Sequence, residues 1–548
     1  MKARAILAFI FVVAVAQVLR VGDLALRPLH SDEAINAVKL DRLWTTGEYR
    51  YDPHEYHGPV LYYLALPVAR VVSWLREGPG AGPDETGMRM VAVLAGVGLI
   101  LVSILWLDGL GWRGWWISGL WVAVSPAFVY YSRYFIHEMV FVFFTALTLG
   151  AGWRYACRSG AGWAALFGAG VGMMYATKET FVFALLAMGI AAAAVLVWEG
   201  GQDRGRGANG ELAAGGWRRV RDWLRWVPWT HWIAAVGAML VVWALFFTSF
   251  LSLPRGALDS VLTYWIWLQR AGGASPHIHS WSFYWERLGW FHERGGPVWT
   301  EGALLGLAVL GGIMATGASR MGNAERRLAR FLLIYTVILA GIYTVLPYKT
   351  PWCLLGFHHG VALLAGIAVR GLLGARPVGV LPVAVWALVL AAAGHLGWQA
   401  WRASREYAAD FRNPYVYAHT SADITNLLDQ VREVSDADPS GRDVRVDVVA
   451  PGSNYWPLPW YLRDFERVGW WDRVPEASDA PIQVIAARLK AGLQEKSNDA
   501  WLMVGMFELQ PRYFFELYVE AKLWERFLSA RRAAREFEEL EGFGGGRE

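Results

Sequence analysis

The chain of 548 residues is 55% hydrophobic but only 18% charged, against about 25% charge in an average soluble domain. A mean hydropathy of +0.28 and 32 tryptophans indicate a membrane protein, and a formal net charge of +4 is too mild for a nucleic-acid-binding surface. Only Cys157 and Cys353 are present, both near predicted span ends, so neither a disulfide framework nor a thiolate metal site is implied.

Apolar windows of about 17–23 residues match a hydrocarbon core of roughly 30 Å. They fall near 5–22, 88–107, 114–131, 136–155, 161–177, 180–198, 231–251, 301–317, 330–346, 352–370 and 378–397, and predict an α-helical polytopic protein with about eleven spans. The first window follows Lys2 and Arg4, as in a signal peptide. No small-x-small cleavage site leads into a hydrophilic chain, so it reads as an uncleaved span. If each window crosses once, Arg113, Arg154, Arg158, the arginines of the 199–229 loop, Arg320, Arg326, Arg327, Arg330, Arg370 and Arg376 share one side. The bias of arginine toward the cytoplasm names that side. Counting "PVLYYLALPVARVVSWL" (59–75) as a span would alternate the arginine clusters, so it reads as a helix in or on the outer interface. "EGGQDRGRGANGELAAGG" reads as a flexible cytoplasmic linker: it lacks the GxxxxGK pattern and the preceding strand of a phosphate loop.

Two domains follow. Residues 1–401 form the transmembrane part, with outer loops at 23–87 and 252–300; residues 402–548 form a small extracytoplasmic α/β domain. In the latter, "DVRVDVVAP" and "APIQVIAA" read as short buried strands, and "ADITNLLDQVREVS" as a helix.

The remaining ionisable groups collect at predicted outer ends. They are Asp32, Glu33, His54, Glu55 and His57 in the first loop, Arg133, His137 and Glu138 in "YYSRYFIHEM", Lys178 and Glu179 in "YATKET", His277 and His279 in "SPHIHSW", and Tyr348 and Lys349 in "LPYKTPW". Each has a structural explanation. Lys178 and Glu179 suit a snorkelling pair at two helix ends, and Arg133 with Glu138 an interfacial salt bridge. Asp32 and Glu33 suit the first turn of a helix capped by Ser31. All five sets nevertheless fall on one face, where charge near a bilayer is costly unless it is used.

The acidic pair followed by "HGPVLYY" (His57 to Tyr63) resembles the GT-C superfamily of membrane glycosyltransferases, in its protein O-mannosyltransferase and lipid A aminoarabinose transferase branch. "SRYFIHE", "TKET", "YKTPW" and "YWPLPWYLR" (Tyr455 to Arg463) are similar to the prokaryotic flippase-activity-associated proteins of archaeal N-glycosylation. Gly58-Pro59 departs from the two prolines frequent in relatives, a change expected to alter helix entry and not chemistry. "GWWDRV" resembles the WWDYG signature of oligosaccharyltransferases, but Arg473 and Val474 replace its last two residues and it is set aside.

The resemblance implies a polyprenyl- or dolichyl-phosphate sugar donor in the bilayer and a protein, lipid or glycan acceptor. It places the active site on the extracytoplasmic side of the plasma (inner) membrane. Such transfer needs a base for the acceptor proton and cations for the departing phosphate. Asp32 holds the base position, Glu33 would orient it or a ligand, and Glu138 would order the site. Arg133, Lys178 and Lys349 are expected to share the phosphate, with His54, His57, Tyr348 and Glu179 around the substrate. A divalent cation (Mn, Mg or Zn) is left open, with Asp32, Glu138, His277 and His279 as its ligands. A transporter or flippase of lipid-linked sugars, or a non-catalytic envelope scaffold, are the alternatives. A transporter would place its polar groups near mid-membrane on repeated, broken helices.

Overall fold

The computed structural model describes residues 2–55, 57–204, 220–222, 225–270, 277–317, 321–374, 379–475, 480–489 and 500–544. Most of the glycine-rich linker, with Arg206, Arg218 and Arg219, lies outside these, as do Arg320 and Arg376. The chain divides into two compact units. One comprises Met1–Leu24 and Lys39–Tyr417, the other Ala25–Val38 and Ala418–Glu548.

The larger unit is helical, because a backbone in hydrocarbon must satisfy its own hydrogen bonds. It holds α1 (Lys2–Val21), the second half of α2 (Ser31–Thr46), α3 (Val60–Glu77), α4 (Glu85–Val102), α5 (Leu107–Val124), α6 (Pro126–Tyr131), α7 (His137–Cys157), α8 (Ala161–Tyr175) and α9 (Phe181–Arg204). It continues with α10 (Trp229–Phe247), α11 (Arg255–Arg270), α12 (Phe283–Gly289), a β1–β2 hairpin (Phe291–His292, Val298–Trp299), α13 (Gly302–Thr316), α14 (Asn323–Val345), α15 (Leu355–Leu373) and α16 (Val380–Ser404). Among the described residues eight helical stretches are long and apolar enough to cross a membrane, and α8 and α13 are shorter apolar helices. One of the eight, Glu85–Val124, doubles back at Gly111, whose φ of 65° breaks the helix. Gly96 on one limb and Val122 and Ala123 on the other both meet Arg20, so the chain has returned to its starting level. Each predicted window thus carries helix, and α3 is not among the spanning helices.

Two buried arginines tie helix ends together. Arg20 donates to the Ala123 and Val122 carbonyls (2.8 and 2.7 Å) at the end of α5. Arg133 donates to the carbonyls of Arg20, Gly22 and Asp23 after α1, the last at 2.8 Å. Orphan carbonyls at a helix C-terminus are natural acceptors for a cation.

The predicted loop 252–300 contains a helix of reversed polarity. In α11, Asp259, Ser260 and Thr263 are buried, whereas Leu258, Val261, Leu262 and Trp265 are exposed. The buried polar face has partners: Thr263 meets the Tyr51 hydroxyl at 2.7 Å, and Ser260 accepts from the Trp243 indole at 3.0 Å. An apolar outward face with a buried polar one is the pattern of a helix that can lie against lipid.

The smaller unit is a five-stranded mixed sheet in the order β4-β3-β5-β7-β6, built from β3 (Val446–Val449), β4 (Val468–Trp471), β5 (Ile482–Ala486), β6 (Trp501–Gln510) and β7 (Tyr513–Glu520). β3 pairs in parallel with β4 and β5, and β7 pairs antiparallel with β5 and β6. Helix α17 (Ile424–Asp436) buries Ile424, Leu427, Leu428, Val431 and Val434, a helical stripe that joins the sheet's core. Short α18 (Leu458–Tyr461) and terminal α19 (Ala521–Gly544) complete it.

Candidate active site

The acidic pair sits in the smaller unit, on a segment pinned by its domain. The Leu29 amide donates to the Tyr461 hydroxyl (2.8 Å), and the Thr420 hydroxyl donates to the Leu29 carbonyl (2.7 Å). Tyr461 belongs to the "YWPLPWYLR" stretch, which therefore acts by holding the loop of the acidic pair. Ser31 then opens α2, and consecutive residues on a helix point about 100° apart.

The two carboxylates consequently meet different fates. Glu33 is fully buried and takes a forked ion pair from Arg27 (2.5 and 3.2 Å) together with the His30 amide (3.1 Å). Asp32 is 50% exposed. Its amide donates to His30 Nδ1 (3.1 Å), and that nitrogen lies 3.9 Å from its carboxylate. The expectation that Glu33 orients Asp32 is corrected here: Glu33 is engaged by Arg27 and the backbone, and the ring facing Asp32 is His30. Arg27 and His30 stand beside the pair in "RPLHSDE", but the sequence alone gives neither of them a role.

In the larger unit a second polar group is built on the turn between α8 and α9. Gly58 donates to the Thr177 carbonyl (3.1 Å) and Val60 to Ala176 (3.0 Å), so "HGPV" docks edge-on against "ATKE". This sets His57 Nδ1 2.9 Å from Glu179 and His137 Nε2 3.1 Å from the Gly58 carbonyl. Burial would raise the Glu179 carboxyl, but His57 and then Lys178 outweigh it and hold its pKa down to about 2. Lys178 pairs with Glu138, both nearly buried, and its ammonium lies 4.0 Å from Cys353 Sγ. A cavity of ≈ 10 Å³ adjoins this pair, bordered by Thr145, Tyr335, Tyr343 and Trp352.

The docking explains Gly58. A Cβ there would overlap the Ala176 carbonyl, and a proline would also lose the amide that Thr177 accepts. Gly58→Ala is expected to cost about 1–3 kcal/mol as an overpacked contact, read as a lower melting temperature. Glu179 supplies a pH signature. Its folded pKa lies below its ordinary 4.5, so its contribution is complete above that value and is lost as pH falls toward about 2. Melting temperature should fall below pH 4.5 in the wild type and stay flatter there in Glu179→Gln.

The other expected residues lie elsewhere. Lys349 donates to the Leu346 and His279 carbonyls, the latter at 3.4 Å. Arg133 is occupied with the carbonyls after α1, Lys349 with those of Leu346 and His279, and Lys178 with the Glu138 carboxylate, so the three cations expected to share one phosphate have separate partners. His54 is exposed beside Asp52 (3.2 Å), Glu55 pairs with Lys39, and Tyr348 is exposed. His277 and His279 converge on one phenol, Tyr417, at 2.7 and 3.0 Å. Among the described residues no three His, Cys, Asp or Glu side chains gather in a group that could hold a metal ion.

A buried network escaped the sequence reading. Glu301 takes His358 Nε2 (2.9 Å), the Tyr415 hydroxyl (2.7 Å) and the Ala127 amide (3.1 Å), with Glu301 and His358 fully buried. It joins the starts of α6 and α13 to α15, a structural use of a carboxylate.

Comparison with known proteins agrees with this architecture. Residues 45–253 match the family model described as dolichyl-phosphate-mannose-protein mannosyltransferase. The fold is similar to that of ArnT from Cupriavidus metallidurans bound to undecaprenyl phosphate (TM-score 0.58, 13% identity, 93% of this chain and 97% of that one). It is also similar to the oligosaccharyltransferase AglB from Archaeoglobus fulgidus in complex with an inhibitory peptide and a dolichol-phosphate (TM-score 0.53, 13% identity, 85% and 64%). No curated protein sequence matches the chain. The chain is therefore a multi-pass membrane protein with a fold like that of ArnT and AglB, and its residues 45–253 are similar to the dolichyl-phosphate-mannose-protein mannosyltransferase family.

Proposed function

We propose that the protein transfers a sugar from a polyprenyl-phosphate carrier to an acceptor hydroxyl or amide on the outer face of the membrane, in a single inverting displacement with Asp32 as general base. The observation that carries this reading is the unequal fate of the acidic pair. Glu33 is committed to holding the loop, while Asp32 stands half exposed at the start of a rigid helix with His30 beside it. In the step, the acceptor heteroatom bonds to the anomeric carbon as the bond from that carbon to the phosphate oxygen breaks. The phosphate departs with the electron pair, and the acceptor proton passes to Asp32. Lys178 is the cation proposed to offset charge on the departing phosphate, with Glu138 holding it in place.

The test is direct. Purified protein in liposomes receives a polyprenyl-phosphate carrier with a radiolabelled sugar, and peptide, lipid and glycan fractions as acceptors. Label should appear on an acceptor with one carrier phosphate released per transfer. Label that crosses the bilayer still attached to its carrier would instead identify a transporter. Sidedness has its own check. Cysteines introduced at the exposed Thr45 and Ser280 should react with an impermeant maleimide on intact cells, whereas native, exposed Cys157 should react only after permeabilisation. Labelling of Cys157 from outside would reverse the orientation.

A further inference from the structure

The larger unit contains a second cavity that the transfer reaction does not use. It measures ≈ 520 Å³ and lies between the ends of α7, α8, α9, α10 and α14 remote from Lys178. Its wall is apolar, with Gly152, Ala156, Phe167, Met188, Ala192 and Phe331 among the lining residues. Its polar members are mostly satisfied within the wall: Tyr155 bonds His231 (2.9 Å), and Thr148 donates to the Phe144 carbonyl (2.8 Å). Water therefore has little to bind there, and packed interiors do not leave space of this size empty. Of the helices around it α7, α9, α10 and α14 are long and apolar enough to cross a membrane and α8 is a shorter apolar helix, so hydrocarbon is the available filling.

Three features name the hydrocarbon. The wall opens sideways on α9, where Gly189 and Ala192 are exposed and a side chain at Gly189 would meet nothing. The ≈ 10 Å³ cavity beside the Lys178–Glu138 pair is lined by Phe141, Val142, Thr145, Tyr335 and Leu339 and shares no lining residue with the larger one. At the opposite end Arg327 lines the cavity, and Arg154 and Arg158 flank the lining residues Tyr155 and Ala156 at the end of α7. Arg154 is paired with Asp108 and Arg327 with Glu199, leaving this cluster with a net positive charge at the rim.

We propose that the cavity binds one acyl chain of an anionic phospholipid from the arginine-rich leaflet, with the lipid phosphate at the Arg154–Arg158–Arg327 rim. The site is separate from the donor's and stands whatever sugar is transferred. A chain seated between α7, α9 and α14 would brace the helices whose other ends carry Glu138, Lys178 and Tyr343.

The full-length protein in nanodiscs, with phosphatidylglycerol carrying a diazirine on its acyl chain, tests this. Peptide mapping should find crosslinks on the lining residues of α7, α9 and α10. Ala193→Trp, which plugs the cavity, should lose most of them, and excess polyprenyl phosphate should displace none. A phosphatidylcholine analogue should label more weakly, and Arg158→Glu should abolish the preference. Arg158 is exposed at the rim, so that variant decides the question even if the plugged one fails to fold. The proposal is overturned by unlabelled lining residues, by labelling unchanged in folded Ala193→Trp, by equal labelling with phosphatidylcholine, or by displacement with polyprenyl phosphate. The last result would give the cavity to the donor's tail.

Discussion

Asp32→Asn is expected to reduce sugar transfer about 10²–10⁴-fold, the usual loss on removing a general base, while leaving the melting temperature nearly unchanged. The reasoning is steric and electrostatic. The amide keeps the shape and the helix position but cannot accept the acceptor's proton. Asp32 is half exposed and makes no close ion pair, so its replacement falls among surface changes worth about ±0.5 kcal/mol in stability. Glu33→Gln should behave in the opposite way. It removes the carboxylate charge from a buried forked pair with Arg27, a change that costs about 3–5 kcal/mol. The pair of variants therefore separates chemistry from scaffolding across a single peptide bond. Near wild-type turnover in Asp32→Asn would remove Asp32 from catalysis; loss of folding in that variant but not in Glu33→Gln would exchange the two roles.

Much of the architecture could be read from the sequence because it depends on local pattern. An apolar window long enough to cross a bilayer has few alternatives to helix, and each such window carries one. The periodicity of "ITNLLDQV" and the β-branched run "VDVV" likewise produced α17 and β3. The strands β4, β6 and β7 were missed: "WLMVGMFELQ" mixes methionine, leucine and glycine with no strict alternation, and its pairing with β7 slips twice. Helix α11 falls within the stretch read as an outer loop, and its polar residues Asp259, Ser260 and Thr263 are buried in protein. The site was harder for a different reason. What a charged side chain does depends on partners that spacing cannot reveal. Arg133 finds carbonyls more than 100 residues away, and His279 finds a phenol at Tyr417. Both carried the residue types of a phosphate or metal site, and both turned out to have structural partners. Where partners lay close in sequence, as with Arg27, His30 and Glu33, the arrangement was within reach of inspection.

Lys178→Met is expected to give the second large effect, and it requires a double mutant to interpret. Lys178 and Glu138 are 7% and 5% exposed, so removing the ammonium leaves a buried carboxylate without its partner, at a cost of about 3–5 kcal/mol. Lost activity in that variant would say nothing about the phosphate. Replacing both partners, as Lys178→Met with Glu138→Leu, removes the uncompensated charge and should return most of the stability, since apolar replacements of a buried pair are frequently neutral or better. The two explanations then diverge. If the pair is only a strut between α7 and the 177–180 turn, the double variant regains affinity for a polyprenyl phosphate along with its fold. If Lys178 meets the phosphate, the affinity stays low, because a charge-assisted contact worth about 1.5–3 kcal/mol is missing, or about 10–150-fold in Kd. Binding of the unglycosylated carrier measures this without turnover, so the result does not depend on Asp32. A stable double variant that binds the carrier as tightly as the wild type would leave the leaving group's counter-ion to another cation.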